Sequence, residues 1–119
     1  MTQKMLEERT KQFHIAVIQL CNDMPRTIVG FEISKQFIRS AGSIGANYRA
    51  SLRAKSKSDF IYKIQIVLEE ADESHYWLEI LQLSGLIKDE RICGLLQEAF
   101  ELTAIFSATD KTAKSNSKK

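Results

Sequence analysis

Apolar residues recur at spacings of three and four through four stretches of this chain, and little interrupts them: proline occurs once and glycine five times. Such spacing gathers apolar side chains on one face of a helix, because successive residues turn by about 100°. A β-rich chain needs turn residues every few positions, and this one lacks them. The first helix is predicted from about Thr2 to Asn22, with Leu6, Phe13, Ala16, Val17 and Leu20 facing inward. Pro25 closes it, since proline cannot donate to a helical ladder. A second helix is predicted from about Phe31 to Ala54. The polar run Lys55 to Asp59 breaks it, and Ser58 is expected to cap a third helix from Asp59 to about Leu83. Ser84-Gly85-Leu86 reads as a C-terminal cap and turn. The fourth helix begins near Lys88 or Asp89, runs to about Thr109 and carries Ile92, Leu95, Leu96, Ala99, Leu102 and Phe106 inward.

With 119 residues, 44% of them apolar, there is material for one core and not for two domains. The expected fold class is all-α: an up-down-up-down antiparallel four-helix bundle over residues 1–110, followed by a disordered Lys/Ser-rich tail at 111–119. No apolar run approaches the roughly 20 residues that cross a bilayer. The segment Met1 to Lys11 is charged, unlike a secretory leader, so a cytoplasmic protein with no membrane partner is expected. Cys21 and Cys93 stand alone and are expected to be buried thiols.

The net charge of +2 conceals a polarity. Residues 26–63 carry eight cations against two acids, a net of +6; residues 64–101 carry two cations against nine acids, a net of −7. On a helical projection of the second helix, Ile33, Phe37, Ala41, Ile44, Tyr48 and Leu52 form the core face. Lys35, Arg39, Gly42, Ala46, Arg49 and Arg53 lie opposite, within an arc of roughly 80°. Lys55 and Lys57 extend this basic stripe beyond the helix. It is either a solvated basic face or a surface for phosphates, which the small residues Gly42 and Ala46 would let approach. Ser40, Ser43 and Asn47 are structural polar residues; Ser40, Asn47 and Ser51 flank the stripe, and Asn47 is suited to tying the helix to a neighbour.

The third helix carries two apolar faces. Phe60, Ile64, Val67, Leu68, Ala71 and Leu78 make the core stripe, while Tyr62, Ile66, Trp77 and Ile80 gather on another side around Glu73. One stripe satisfies a surface helix; a second is most economically buried against another subunit, where Trp and Tyr are frequent anchors. The competing reading is a third helix buried all round within a monomer.

Catalytic constellations are missing. His14 and His75 are isolated, and His75 projects toward the core as a structural residue would. The cluster Glu69, Glu70, Asp72 and Glu73 resembles a di-metal carboxylate helix. Such sites also need inward carboxylates on the first helix and a Glu-x-x-His on the fourth, and neither exists here. No phosphate loop, zinc spacing or nucleophile elbow is present. No enzyme activity, metal or cofactor is therefore expected.

The stretch Arg39-Ser40-Ala41-Gly42-Ser43-Ile44-Gly45-Ala46-Asn47-Tyr48-Arg49-Ala50 resembles the signature of the 23S ribosomal RNA intervening-sequence protein family, also known as the four-helix-bundle protein family. Ser58-Asp59-Phe60-Ile61-Tyr62-Lys63, Glu69 to Ser74 and Trp77-Leu78 continue the likeness, which spans about residues 5–108. The resemblance implies a bacterial up-down bundle related to the accessory variability protein of diversity-generating retroelements. That relative forms a pentameric barrel with a basic surface and works with a reverse transcriptase and nucleic acid. A homo-oligomer, a pentamer by this resemblance, is thus implied, and no enzyme activity. Where the common branch of the family has Asn-Ile-Ala-Glu-Gly, this chain has Asn47-Tyr48-Arg49-Ala50-Ser51, which makes its second helix more basic. Two functions follow as expectations. One is a nucleoprotein accessory holding RNA or DNA phosphates on Lys35, Arg39, Arg49, Arg53, Lys55 and Lys57; the other is a scaffold whose stripe meets acidic faces of neighbouring subunits or a partner protein.

Overall fold

A computed structural model describes residues 1–117 as four helices: α1 (Gln3–Cys21), α2 (Ile28–Ser51), α3 (Lys57–Ser84) and α4 (Arg91–Ser117). The body measures 51 × 21 × 21 Å, so helices of this length must align with its long axis. Each helix packs on the next and α4 returns to α1, which closes a square without diagonal contacts. Neighbours run antiparallel. Gly42 and Gly45 of α2 meet His14 and Thr10 of α1, and Ser40 of α2 meets Ser74 of α3.

Local chemistry sets the helix starts. The Thr2 hydroxyl accepts from the Met5 amide, and Thr27 accepts from Gly30. The cap of α3 is Ser56, not Ser58: its Oγ accepts from the Asp59 amide at 3.0 Å, while Asp59 accepts from the Lys55 amide. Reciprocal bonding of this kind satisfies two donors, and this explains why Ser56 prevails. Gly85 ends α3 with φ of 66°, a left-handed conformation that disfavours any Cβ.

The core contains Phe37, Phe106, Leu20, Ile44, Ile64, Leu78, Leu81, Leu102, Val17 and Val67, all fully buried. Tyr48 tilts against Phe106 with ring centroids 5.3 Å apart. Ionic clasps join two of the four seams, α1–α4 and α2–α3. Arg9 of α1 grips Glu98 of α4 through two nitrogens, at 2.7 and 2.6 Å, and also reaches Glu101. Arg91 joins the start of α4 to Asp23 in the α1–α2 connection, and Arg39 of α2 joins α3.

Two expectations are corrected by this fold. The stretch expected as a disordered tail continues α4 to Ser117; Lys114 pairs with Asp110 one turn back, and Ala113 is half-buried. Lys118 and Lys119, the remainder of that stretch, lie outside the described residues. Cys93 is exposed and Cys21 only partly buried, because their faces of α4 and α1 point away from the axis.

Candidate nucleic-acid interface

The seam between α1 and α2 differs from the two that ion pairs clasp. Small residues, not an ion pair, let the helices approach: a Cβ at Gly42 would sit 2.8 Å from two atoms of the His14 ring, and one at Gly45 would sit 3.2 Å from Thr10 Oγ1. On sequence alone, Gly42 is expected to let a phosphate approach. The structure instead lays the His14 imidazole over it, since antiparallel pairing sets the two residues opposite each other.

A groove of about 250 Å³ runs along this seam, between Glu7, Thr10, Lys11 and His14 of α1 and Gly42, Gly45, Ala46 and Arg49 of α2. Lys11 and Arg49 are exposed on its two sides, and Ala46 is exposed between them. Arg53, Lys55 and Lys57 follow toward the end of the bundle, all exposed. Lys35 is exposed nearer the other end of α2. Among the described residues, none of Lys11, Lys35, Arg49, Arg53, Lys55 and Lys57 takes part in an ion pair.

Arg39 is the exception within the predicted stripe. Its Nη1 donates to Glu70 Oε2 at 2.8 Å and its Nη2 donates to Glu73 Oε2, both on α3. Glu70 first, then Glu73, holds the guanidinium protonated even more firmly than usual. Arg39 is therefore an interhelical clasp. A helical projection places Arg39 in the stripe but cannot show that its long side chain reaches across to α3.

The flanking polar residues divide similarly. Ser40 is buried at the α2–α3 crossing; its hydroxyl donates to the Phe37 carbonyl and accepts from Ser74 Oγ at 2.8 Å. Asn47 does not tie α2 to a neighbour as expected. Its amide donates to the Ser43 carbonyl and Ser43 Oγ within the same helix. On α3, Tyr62 is 61% exposed, and Ile66 and Ile80 are half-buried. Trp77 leans on the core, donates from Nε1 to Glu73 Oε2 at 3.2 Å and meets the edge of Tyr76. Glu73 thus serves Arg39 and Trp77 together. His75 is half-buried and bonds Glu79 on its own helix.

Among the described residues, no group of three or more His, Cys, Asp and Glu side chains could hold a metal ion. None of the helices is long and apolar enough to cross a membrane.

The profile of the 23S rRNA-intervening sequence protein family matches residues 5–108. The chain belongs to this family. It is also similar to a crystal structure from Bacteroides thetaiotaomicron, described as a protein of unknown function from the S23 ribosomal protein family. That likeness has a TM-score of 0.83 at 32% identity and covers 93% of this chain and 99% of the other. No curated protein matches.

Within this family member, the structure adds Lys11, His14 and Glu7 to the residues that sequence reasoning singled out. They lie on α1, outside the helix 2 signature. A signal for them existed: Gly42, Gly45 and Ala46 mark where a second helix can press close, and His14 and Lys11 lie one turn apart on α1.

Proposed function

We propose that this chain is a non-catalytic, homo-oligomeric, cytoplasmic bundle that binds phosphates of RNA or DNA through the α1–α2 face, as an accessory to a nucleoprotein. The observation that carries this reading is the row of exposed cations, Lys11, Arg49, Arg53, Lys55 and Lys57, beside a groove floored by small residues. Ion pairs engage Arg39, Arg9 and Arg91 inside the bundle, whereas this row has none among the described residues. Cations so placed release counterions when they meet phosphate, a sequence-independent attraction. The test is an electrophoretic mobility shift with structured RNA across a salt series. A shift at low salt that Arg49→Glu with Arg53→Glu abolishes is expected; no shift at low salt would sink the idea.

Assembly belongs to the same proposal, as a ring of five by the family resemblance. Two unlike faces support it: Tyr62, Tyr76 and Leu83 on α3 are exposed, as are Ile15, Ile18 and Phe31 on α1 and α2. Contact between unlike faces of successive copies generates a closed ring when the rotation allows. Light scattering on a sizing column is expected to give a multiple of the 13.6 kDa chain mass, and a monomer would overturn this part.

A second reading has one observation in its favour. Arg39 already joins Glu70 and Glu73, so cations of α2 and acids of α3 suit each other within one chain. The remaining cations would then meet Glu69, Asp72 or Glu79 of a neighbouring copy or acids of a partner. Under that reading Arg53→Glu breaks the oligomer; under the first it leaves the oligomer intact and removes nucleic acid.

A further inference from the structure

Three cavities at one end of the bundle converge on a single aromatic side chain, Phe60. The largest, about 510 Å³, lies where the C-terminal end of α2, the start of α3 and the last turns of α4 meet. Leu52 and Phe60 give it apolar walls, Lys55 and Lys57 stand among its lining residues, and Gln3 and Asn116 add amides. Phe60 is half-buried. The volume falls within the range of about 300–1,000 Å³ typical of small-molecule sites.

The cations here are the same Lys55 and Lys57 that end the basic row along the α1–α2 face. A strand following that row reaches the pocket at its terminus. We propose that the pocket receives an unpaired nucleotide of the bound strand, its base against Phe60 and its flanking phosphates on Lys55 and Lys57. This rests on the nucleic-acid reading given above and names the substrate class: strands with unpaired bases over blunt duplexes. A paired base is already stacked on both faces, so only a nucleotide that has left the helix can lie on a ring that lines a pocket. The amides of Gln3 and Asn116 both donate and accept, as a base edge requires. One stacked base strengthens binding by about tenfold.

The experiment compares a blunt RNA hairpin with the same hairpin carrying a three-nucleotide 3′ extension, by fluorescence anisotropy at fixed low salt. The wild-type chain is expected to bind the extended hairpin about tenfold more tightly. Phe60→Leu keeps the apolar bulk and removes the π face. It is expected to erase that advantage and leave blunt-hairpin affinity unchanged, with a circular dichroism spectrum like that of the wild type. Phe60→Trp is expected to restore the preference, which a purely structural role for Phe60 would not explain. Equal wild-type affinity for the two hairpins overturns this inference alone. A preference that survives Phe60→Leu also overturns it, and absence of binding to both overturns the basic-row reading with it.

Discussion

Replacing Arg39 by alanine separates the residues that hold the bundle from those proposed to hold phosphate. Arg39 makes two ion pairs to α3, with Glu70 at 2.8 Å and with Glu73. Its own side chain is 50% exposed, so each pair is worth at most about 1 kcal/mol. The Glu70 side chain is only 14% exposed, and without Arg39 this carboxylate loses a charged donor. Together these effects place the loss at about 1–2 kcal/mol. For a chain of this size that corresponds to a fall in melting temperature of roughly 4–8 °C. Arg39→Ala should show this fall by thermal circular dichroism while nucleic-acid affinity and its salt dependence stay near wild type. Arg49→Ala should do the reverse: melt near the wild-type temperature and reduce the slope of log affinity against log salt by about one. An Arg39→Ala chain that melts like the wild type yet loses as much affinity as Arg49→Ala would refute this division of labour.

Other substitutions test the packing that positions the face. A Cβ at Gly30 would lie 2.0 Å from the Pro25 carbonyl oxygen, a backbone atom that cannot swing aside. Gly30→Ala should therefore cost about 3 kcal/mol in urea unfolding, and a change under about 0.5 kcal/mol would contradict the geometry. Ser40→Ala leaves the buried Ser74 hydroxyl without its 2.8 Å partner and should cost about 1–2 kcal/mol. Adding Ser74→Ala should recover part of that loss, whereas strict additivity in the double-mutant cycle would argue against the bond. Asp89 is held at a pKa of about 2 by the Arg91 side chain first and the Arg91 amide second. Its folded value lies below the ordinary 3.8, so its stabilisation is present above about pH 4 and lost as pH falls through about 2. Melting of Asp89→Asn should be lower than wild type at pH 6 and converge with it near pH 2; a constant difference over that range would contradict the linkage.

Helix number, order and core were legible in the sequence because a 3.6-residue period is a property of each segment alone. Phe37, Ala41, Ile44 and Tyr48 were expected inside and are buried. Boundaries were less legible where a cap depends on which of two equivalent residues finds a partner, as with Ser56 and Ser58. The end of α4 is not legible in its composition, which does not reveal the Asp110–Lys114 pair or the packing of Ala113. The basic face was half legible. Arg49, Arg53, Lys55 and Lys57 stand exposed as expected, but Arg39 is drawn to α3 and Gly42 is covered by His14. Both differences depend on how one helix is rotated against another, which a single-helix projection omits. For the same reason Lys11 could not be assigned to the face until α1 was laid beside α2.

Contact of Lys11, Arg49, Arg53, Lys55 and Lys57 with phosphates would be read in the salt dependence of binding. Each phosphate neutralised on a duplex contributes about −0.9 to the slope of log affinity against log salt. RNA binding near 50 mM salt is expected with a slope of about −3 or steeper, made shallower by about one with each cation of the row replaced by alanine. A slope between zero and about −1, or one indifferent to these replacements, would contradict it.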